Sequence, residues 1–162
     1  MCNIDYLRNL GFEGFYTISQ LNRNCNKVPK SKGAYVVCRH QNYKPKYLSK
    51  SPGGWFKGDP TVSVEKLKSN WIENTDILYI GKAGGTTENT TLNSRIRAYI
   101  QFGSGVRRSH GGGRYIWQLK GHNNFLVAFK VLYNDEPKEI ETQMLEEFIG
   151  INGKLPFANL RR

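Results

Sequence analysis

Acidic residues are scarce in this chain. Thirteen Asp and Glu stand against 24 Lys and Arg, which gives a formal net charge of +11. Long apolar runs are also missing. No stretch approaches about 18 residues, so the sequence offers no candidate membrane helix. Cysteine is rare: Cys2, Cys25 and Cys38 are odd in number and show no C-x-x-C spacing. That argues against a disulfide framework and against a thiolate zinc site, and leaves free thiols as the expectation. The three histidines, His40, His110 and His122, form no H-E-x-x-H pattern. There is no G-x-x-x-x-G-K-[ST] phosphate loop and no complete G-x-G-x-x-G. Met1-Cys2-Asn3-Ile4-Asp5 lacks the basic-then-apolar layout of a secretory signal, so a cytoplasmic location is expected. At 162 residues, a single domain over 1–162 is expected, long enough to bury about 70% of its unfolded surface.

The positive charge is concentrated. From Arg23 to Lys57 there are nine basic residues and no acid, and from Ile77 to Lys130 eight basic residues and one acid, Glu88. From Pro137 onward the signs balance, four against four. Two basic stretches and a neutral tail form the footprint of a polyanion binder. Tyr35, Tyr43, Tyr47, Trp55 and Phe56 interleave the first stretch, and such rings either stack on bases or build a core. No basic helix with a bulky apolar face points to a membrane surface.

Strand and helix patterns alternate. Gly33–Cys38, Asp76–Gly81 and Phe125–Leu132 read as strands, with a further short one near Lys46 to Ser49. A helix is expected near Thr17 to Asn22. A second follows Ser63 to Trp71, a third runs from Leu92 to Phe102 after Thr91, and a helical turn covers Tyr115 to Leu119. The last runs to Ile149, with Asn134 or Asp135 as its cap and Pro137 in its first turn. The class is α/β or α+β, with a small central three-stranded, mainly antiparallel sheet flanked by helices.

Two of these helices carry charge on their apolar faces. With Ile140 at zero, Met144, Phe148, Leu145 and Ile149 fall at about 40°, 80°, 140° and 180°, and Glu141 falls at about 100° among them. Glu139 and Glu146 point the other way. A carboxylate in an apolar stripe is costly unless a cation, a metal or a salt bridge meets it, or unless it lies half exposed at the helix start. On the Leu92 helix, Leu92, Ile96 and Tyr99 mark the inner face and Arg95 lies between them. An inward Arg and an inward Glu suit either a mutual ion pair or a shared phosphate–metal site.

Leu78-Tyr79-Ile80-Gly81-Lys82-Ala83-Gly84-Gly85 brings a phenol, an ammonium and a glycine-rich loop to the end of a strand, and Gly33-Ala34-Tyr35 supplies a second strand tyrosine. These segments resemble the two signature motifs of the GIY-YIG nuclease superfamily. Leu92–Tyr99 looks like that family's arginine helix, Glu141 with Met144-Leu145 like its glutamate helix, and Pro156-Phe157-Ala158-Asn159 like its terminal Pro-x-x-Asn. The resemblance spans 33–159 in order. Ala34 replaces the usual Ile. The interval between the two tyrosines is longer than usual, which marks 40–76 as an insertion, either a DNA-contacting elaboration or a structural cap. The interval from Glu141 to Asn159 is also long.

The resemblance implies a metal-dependent DNA endonuclease, restriction-type among the options. Tyr35, Tyr79, Lys82, Arg95, Tyr99, Glu141 and Asn159 are then the catalytic set, and Glu141 the ligand of one Mg²⁺ or Mn²⁺. Tyr79 is the implied general base or water-orienting group, and Lys82 and Arg95 favour its phenolate. Arg95 also stabilises charge on the phosphate, while Asn159 holds the tail or the phosphate. Lys82, Arg107, Arg108, His110 and Arg114 are the expected DNA contacts. Double-stranded DNA is the expected partner, with monomer or homodimer left open. The alternatives are a non-catalytic nucleic-acid-binding module on the same fold and a basic structural or ribosome-associated protein.

Overall fold

The computed structural model describes residues 2–55, 57–108 and 112–162. Caps set where its helices begin. Asn3 Oδ1 accepts the Tyr6 N–H and opens α1 (Ile4–Asn9). At the end of β1 (Glu13–Thr17), Thr17 and Gln20 exchange side-chain and backbone bonds in a capping box that opens α2 (Ile18–Arg23). β2 follows at Gly33–Cys38. Ser63 Oγ accepts the Lys66 N–H at the head of α3 (Val64–Asn70). After β3 (Ile77–Ala83), Thr91 and Ser94 repeat the reciprocal exchange for α4 (Leu92–Gly103). β4 (Leu126–Val131) and α5 (Pro137–Asn152) complete the chain. The cap of α5 is Glu136, not Asn134 or Asp135, and no side-chain bond closes it. Pro137, with its φ preset for a first turn, takes that place.

The protein is α+β, and its sheet has four strands rather than the expected three, in the order β1-β4-β2-β3 with every pairing antiparallel. The additional strand is β1. Gly14 at φ 93° and Phe15 at φ 51° break its regular pleat, and the register against β4 shifts between Gly14 and Tyr16. A bulge of this kind erases the period-2 alternation by which a strand is recognised. The strand expected near Lys46 to Ser49 reduces to one bridge between Tyr47 and Leu119, because the partner segment turns into a 3-10 helix at Arg114–Gln118.

Each face of the sheet buries its own core. Tyr35, Val37, Tyr79, Val127 and Phe129 face Leu92, Ile96 and Tyr99 of α4. Ala34, Val36, Cys38, Ile80 and Ala128 face Leu7 of α1 and Met144, Leu145 and Phe148 of α5. All three cysteines are buried and free.

The 40–76 insertion is fastened to this core. Tyr43, Tyr47, Val62 and Trp71 pack against the α4-side cluster. Gln118, fully buried, accepts the Val62 N–H and donates to the carbonyls of Leu48 and Val62. Arg39 spends its guanidinium on the carbonyls of Thr75, Tyr43 and Glu73 while lying over the Trp71 ring. This buried cation therefore braces the fold, since all its reach is used on backbone oxygens.

Candidate active site

The antiparallel register sets Gly81 directly opposite Tyr35 and Tyr79 opposite Val37. The missing side chain at Gly81 is what admits the Tyr35 ring, which is fully buried. Tyr35 then leans on Tyr79, with centroids 5.9 Å apart. Tyr79 stacks on Tyr99 at 6.1 Å and an interplanar angle of 18°. Tyr99 packs against Trp117 at 4.8 Å and donates to the Gly113 carbonyl at 3.0 Å. Three of the expected tyrosines thus form one contiguous row. Gly112 carries its backbone against the Tyr79 hydroxyl so closely that a Cβ there would collide with Tyr79 Oη.

Two charged groups of opposite sign act on this row. Glu141 approaches from α5 with only 14% of its side chain exposed, and its charge opposes ionisation of Tyr79. Arg95 approaches from α4, and its charge favours ionisation of both Tyr35 and Tyr79. Arg95 and Glu141 do not pair with each other among the described ion pairs. Glu141 is met instead by Lys138 of its own helix, at 3.1 Å and half exposed, while Arg95 Nε is buried with no hydrogen-bond partner. The mutual salt bridge is therefore not the arrangement found.

Burial dominates the phenols. It pushes Tyr35 and Tyr99 well above the ordinary tyrosine value and raises Tyr79 as well. For Tyr79 the Tyr35 hydroxyl works in the opposite direction, Glu141 adds to the rise, and Arg95 offsets part of it. The Tyr35 and Tyr79 hydroxyls influence each other, yet Tyr35 Oη has no partner of regular hydrogen-bond geometry. In the structure as it stands, Tyr79 is a neutral phenol.

Lys82 is placed differently from expectation. It forms a 2.5 Å ion pair with Glu88, whose other oxygen accepts from Thr90. The Lys82 hydrogen bond holds the Glu88 carboxyl below its usual range, with Thr90 and Arg95 adding to the effect. Sequence reasoning missed Glu88 as the partner of Lys82. Its signal was present, because it is the one acid between Ile77 and Lys130.

Asn159 is buried, and both ends of its amide are used. Oδ1 accepts the Ile80 N–H at 2.9 Å and Nδ2 donates to the Ile80 carbonyl at 2.8 Å. With the Ala158 N–H donating to Leu78, the tail closes the free edge of β3 beside Tyr79. Both ends of the Asn159 amide are thereby spent on the backbone of Ile80. Arg114 lies over the Tyr115 ring with its Nε buried and unpartnered. Arg107 and Arg108 are exposed on the segment leading to the site. His110 lies outside the described residues.

No family model matches the chain, and neither a characterised protein nor a solved structure matches it. Among the described residues no three His, Cys, Asp or Glu side chains converge as a protein-only metal cage. The donor set present is one partly buried carboxylate, met by Lys138 and acting through its charge on the Tyr79 phenol, with the Nε atoms of Arg95 and Arg114 unpartnered. That set fits a hard divalent cation which keeps several waters and completes its shell from a phosphate.

Proposed function

We propose that the chain is a metal-dependent DNA endonuclease that hydrolyses phosphodiester bonds, on a GIY-YIG-like arrangement. The observation that carries this reading is the Glu141 carboxylate, 14% exposed and acting electrostatically on Tyr79. Lys138 meets one oxygen of this partly buried acid, and its charge still reaches the buried Tyr79 phenol, which marks the carboxylate as a site candidate. The unpaired Nε groups of Arg95 and Arg114 supply two donors suited to phosphate oxygens.

Glu141 would hold a Mg²⁺ or Mn²⁺ ion, and the ion would supply Lewis-acid stabilisation of the scissile phosphate. Arg95 binds a non-bridging oxygen of that phosphate and offsets the charge that builds there as water adds. Tyr79 would act as the phenolate: its own proton passes to solvent first, it then accepts the proton of the attacking water, the P–O bond to the departing sugar oxygen breaks, and that oxygen takes a proton from solvent. A neutral phenol is a poor base, so its proton must first become easier to lose. Burial is the chief obstacle; Arg95 acts against it, and neutralising Glu141 would remove a smaller opposing charge. Tyr35 and Tyr99 fix the orientation of the Tyr79 ring. Double-stranded DNA reaches the site across the basic segment containing Arg107, Arg108 and Arg114.

The test is cleavage of plasmid DNA with MgCl₂ by the wild type and by Glu141→Ala. Cleavage by the first and none by the second, with duplex affinity within about threefold, supports the reading. Binding without cleavage by the wild type under any divalent metal overturns it in favour of a non-catalytic nucleic-acid-binding module.

A further inference from the structure

The Trp55 indole is 63% exposed, although the backbone that carries it is tightly held. Gly53 lies against Phe102, where a Cβ would stand 2.7 Å from the ring. Gly54 is buried, donates its N–H to the Phe102 carbonyl at 2.8 Å, and leaves no room for a Cβ against the Val106 carbonyl. Two glycines thus clamp this loop onto the C-terminal end of α4, and the clamped loop holds its largest side chain out in water. Burial of an indole is normally among the larger gains that a chain can make. A rigid backbone that forgoes it is presenting the ring to something else.

The surroundings define what that partner is. Val106 is exposed beside Gly54, and the Arg107 backbone N–H group touches the same position. Lys57, Arg107 and Arg108 are all exposed, and Arg108 is steadied by a 2.8 Å bond to Gln101. The acid on this loop, Asp59, is turned to the Thr61 N–H. An exposed aromatic ring on a loop that abuts the backbone of a segment carrying exposed cations suits a base with its neighbouring phosphates. From Val106 to Gly112, which abuts Tyr79, six residue steps span at most about 21 Å. The two places are therefore no more than about six base-pair steps of a duplex apart, at 3.4 Å each.

We propose that Trp55 stacks on an unstacked base of bound DNA while Lys57, Arg107 and Arg108 hold the neighbouring phosphates. The protein then favours DNA interrupted by a missing or unpaired nucleotide over a continuous duplex. The choice of DNA as occupant rests on the reading given under Proposed function; the stacking itself does not require cleavage.

The test uses the Glu141→Ala protein in EDTA, with tryptophan emission and equilibrium binding measured on a continuous duplex and on the same duplex with a one-nucleotide gap. We expect quenching on binding and about tenfold tighter binding to the gapped DNA. Adding Trp55→Ala should abolish both, while Trp55→Phe keeps the preference. Circular dichroism reports whether each variant is folded, and the exposed position makes Trp55→Phe a fallback if Trp55→Ala unfolds. Adding Arg107→Ala should instead weaken both DNAs alike and lower the salt slope by about one. Equal affinity for the two DNAs, or a preference that survives Trp55→Ala, overturns the proposal. Quenching and preference in a protein whose wild type cuts nothing would uphold the stacking and overturn the nuclease reading. No binding to either DNA would overturn both.

Discussion

Gly81 and Tyr35 face each other across the β2–β3 pair, and a Cβ at Gly81 would stand 2.7 Å from Tyr35 Cζ and 2.9 Å from its hydroxyl oxygen. The glycine is there for space. Its backbone is not among the positive-φ positions, so an alanine meets no torsional strain, only the ring. Because Tyr35 is fully buried, the ring has no free direction in which to retreat. Gly81→Ala is expected to cost about 1–3 kcal/mol by overpacking. Gly150→Ala is the matched control. It lies within α5 with nothing near its Cβ position, and should stabilise by about 0.5–1 kcal/mol. Urea unfolding of the two variants checks the pair, and a Gly81→Ala protein as stable as the wild type would show that Tyr35 is not wedged in place.

Asn159 turns the open edge of β3 into a closed one. Its two bonds to Ile80 satisfy a backbone donor and a backbone acceptor that no neighbouring strand reaches. Asn159→Ala leaves both without their partner and should cost about 2–3 kcal/mol. Hydrogen exchange at Ile80 should accelerate along with that loss, and the Ala158–Leu78 bond next to it should fray. Asn159→Asp keeps the acceptor but aims lone pairs at the Ile80 carbonyl, so it should not restore the wild-type protection. Unchanged exchange at Ile80 in the alanine variant would sink this account.

Much of the site was legible because its signals are local. Glu141 stands out on a helical wheel, since one charge among Ile140, Met144, Leu145 and Phe148 breaks a simple pattern. The row of Tyr35, Tyr79 and Tyr99 follows from strand alternation and the i, i+4, i+7 face of α4. What escaped reading is relational. Strand β1 was hidden by its own bulge. Lys82 looked like a free cation until the loop after β3 folded Glu88 back onto it. The 40–76 insertion carries no periodicity that reveals Gln118 and Arg39 as its fasteners, because those bonds end on backbone atoms distant in sequence. The outcome for Asn159 depends on the same thing, a side chain pairing with the backbone of an edge strand.

The three contiguous phenols tie stability to alkaline pH, and the sign follows from burial. Each folded-state pKa is raised, from an ordinary value of 10.0, by desolvation. A raised value means that the folded protein keeps a proton which the unfolded chain releases. The contribution is therefore complete below about pH 10 and is lost as pH climbs through the folded-state values. Over that window each retained phenol should steepen the decline by about 1.4 kcal/mol per pH unit. Urea midpoints should stay level between about pH 7 and 9 as far as these groups are concerned, then fall, and tyrosinate absorbance from Tyr35 and Tyr99 should appear only together with unfolding. Tyr79→Phe removes one of the three and should flatten the alkaline limb. The same substitution bears on the proposed chemistry, because a phenol that must lose its proton gives a cleavage rate that rises with pH across the neutral range. An alkaline limb of unchanged slope in Tyr79→Phe would mean that Tyr79 ionises as freely in the folded protein as in the unfolded chain. A cleavage rate that is flat with pH would remove it as the base.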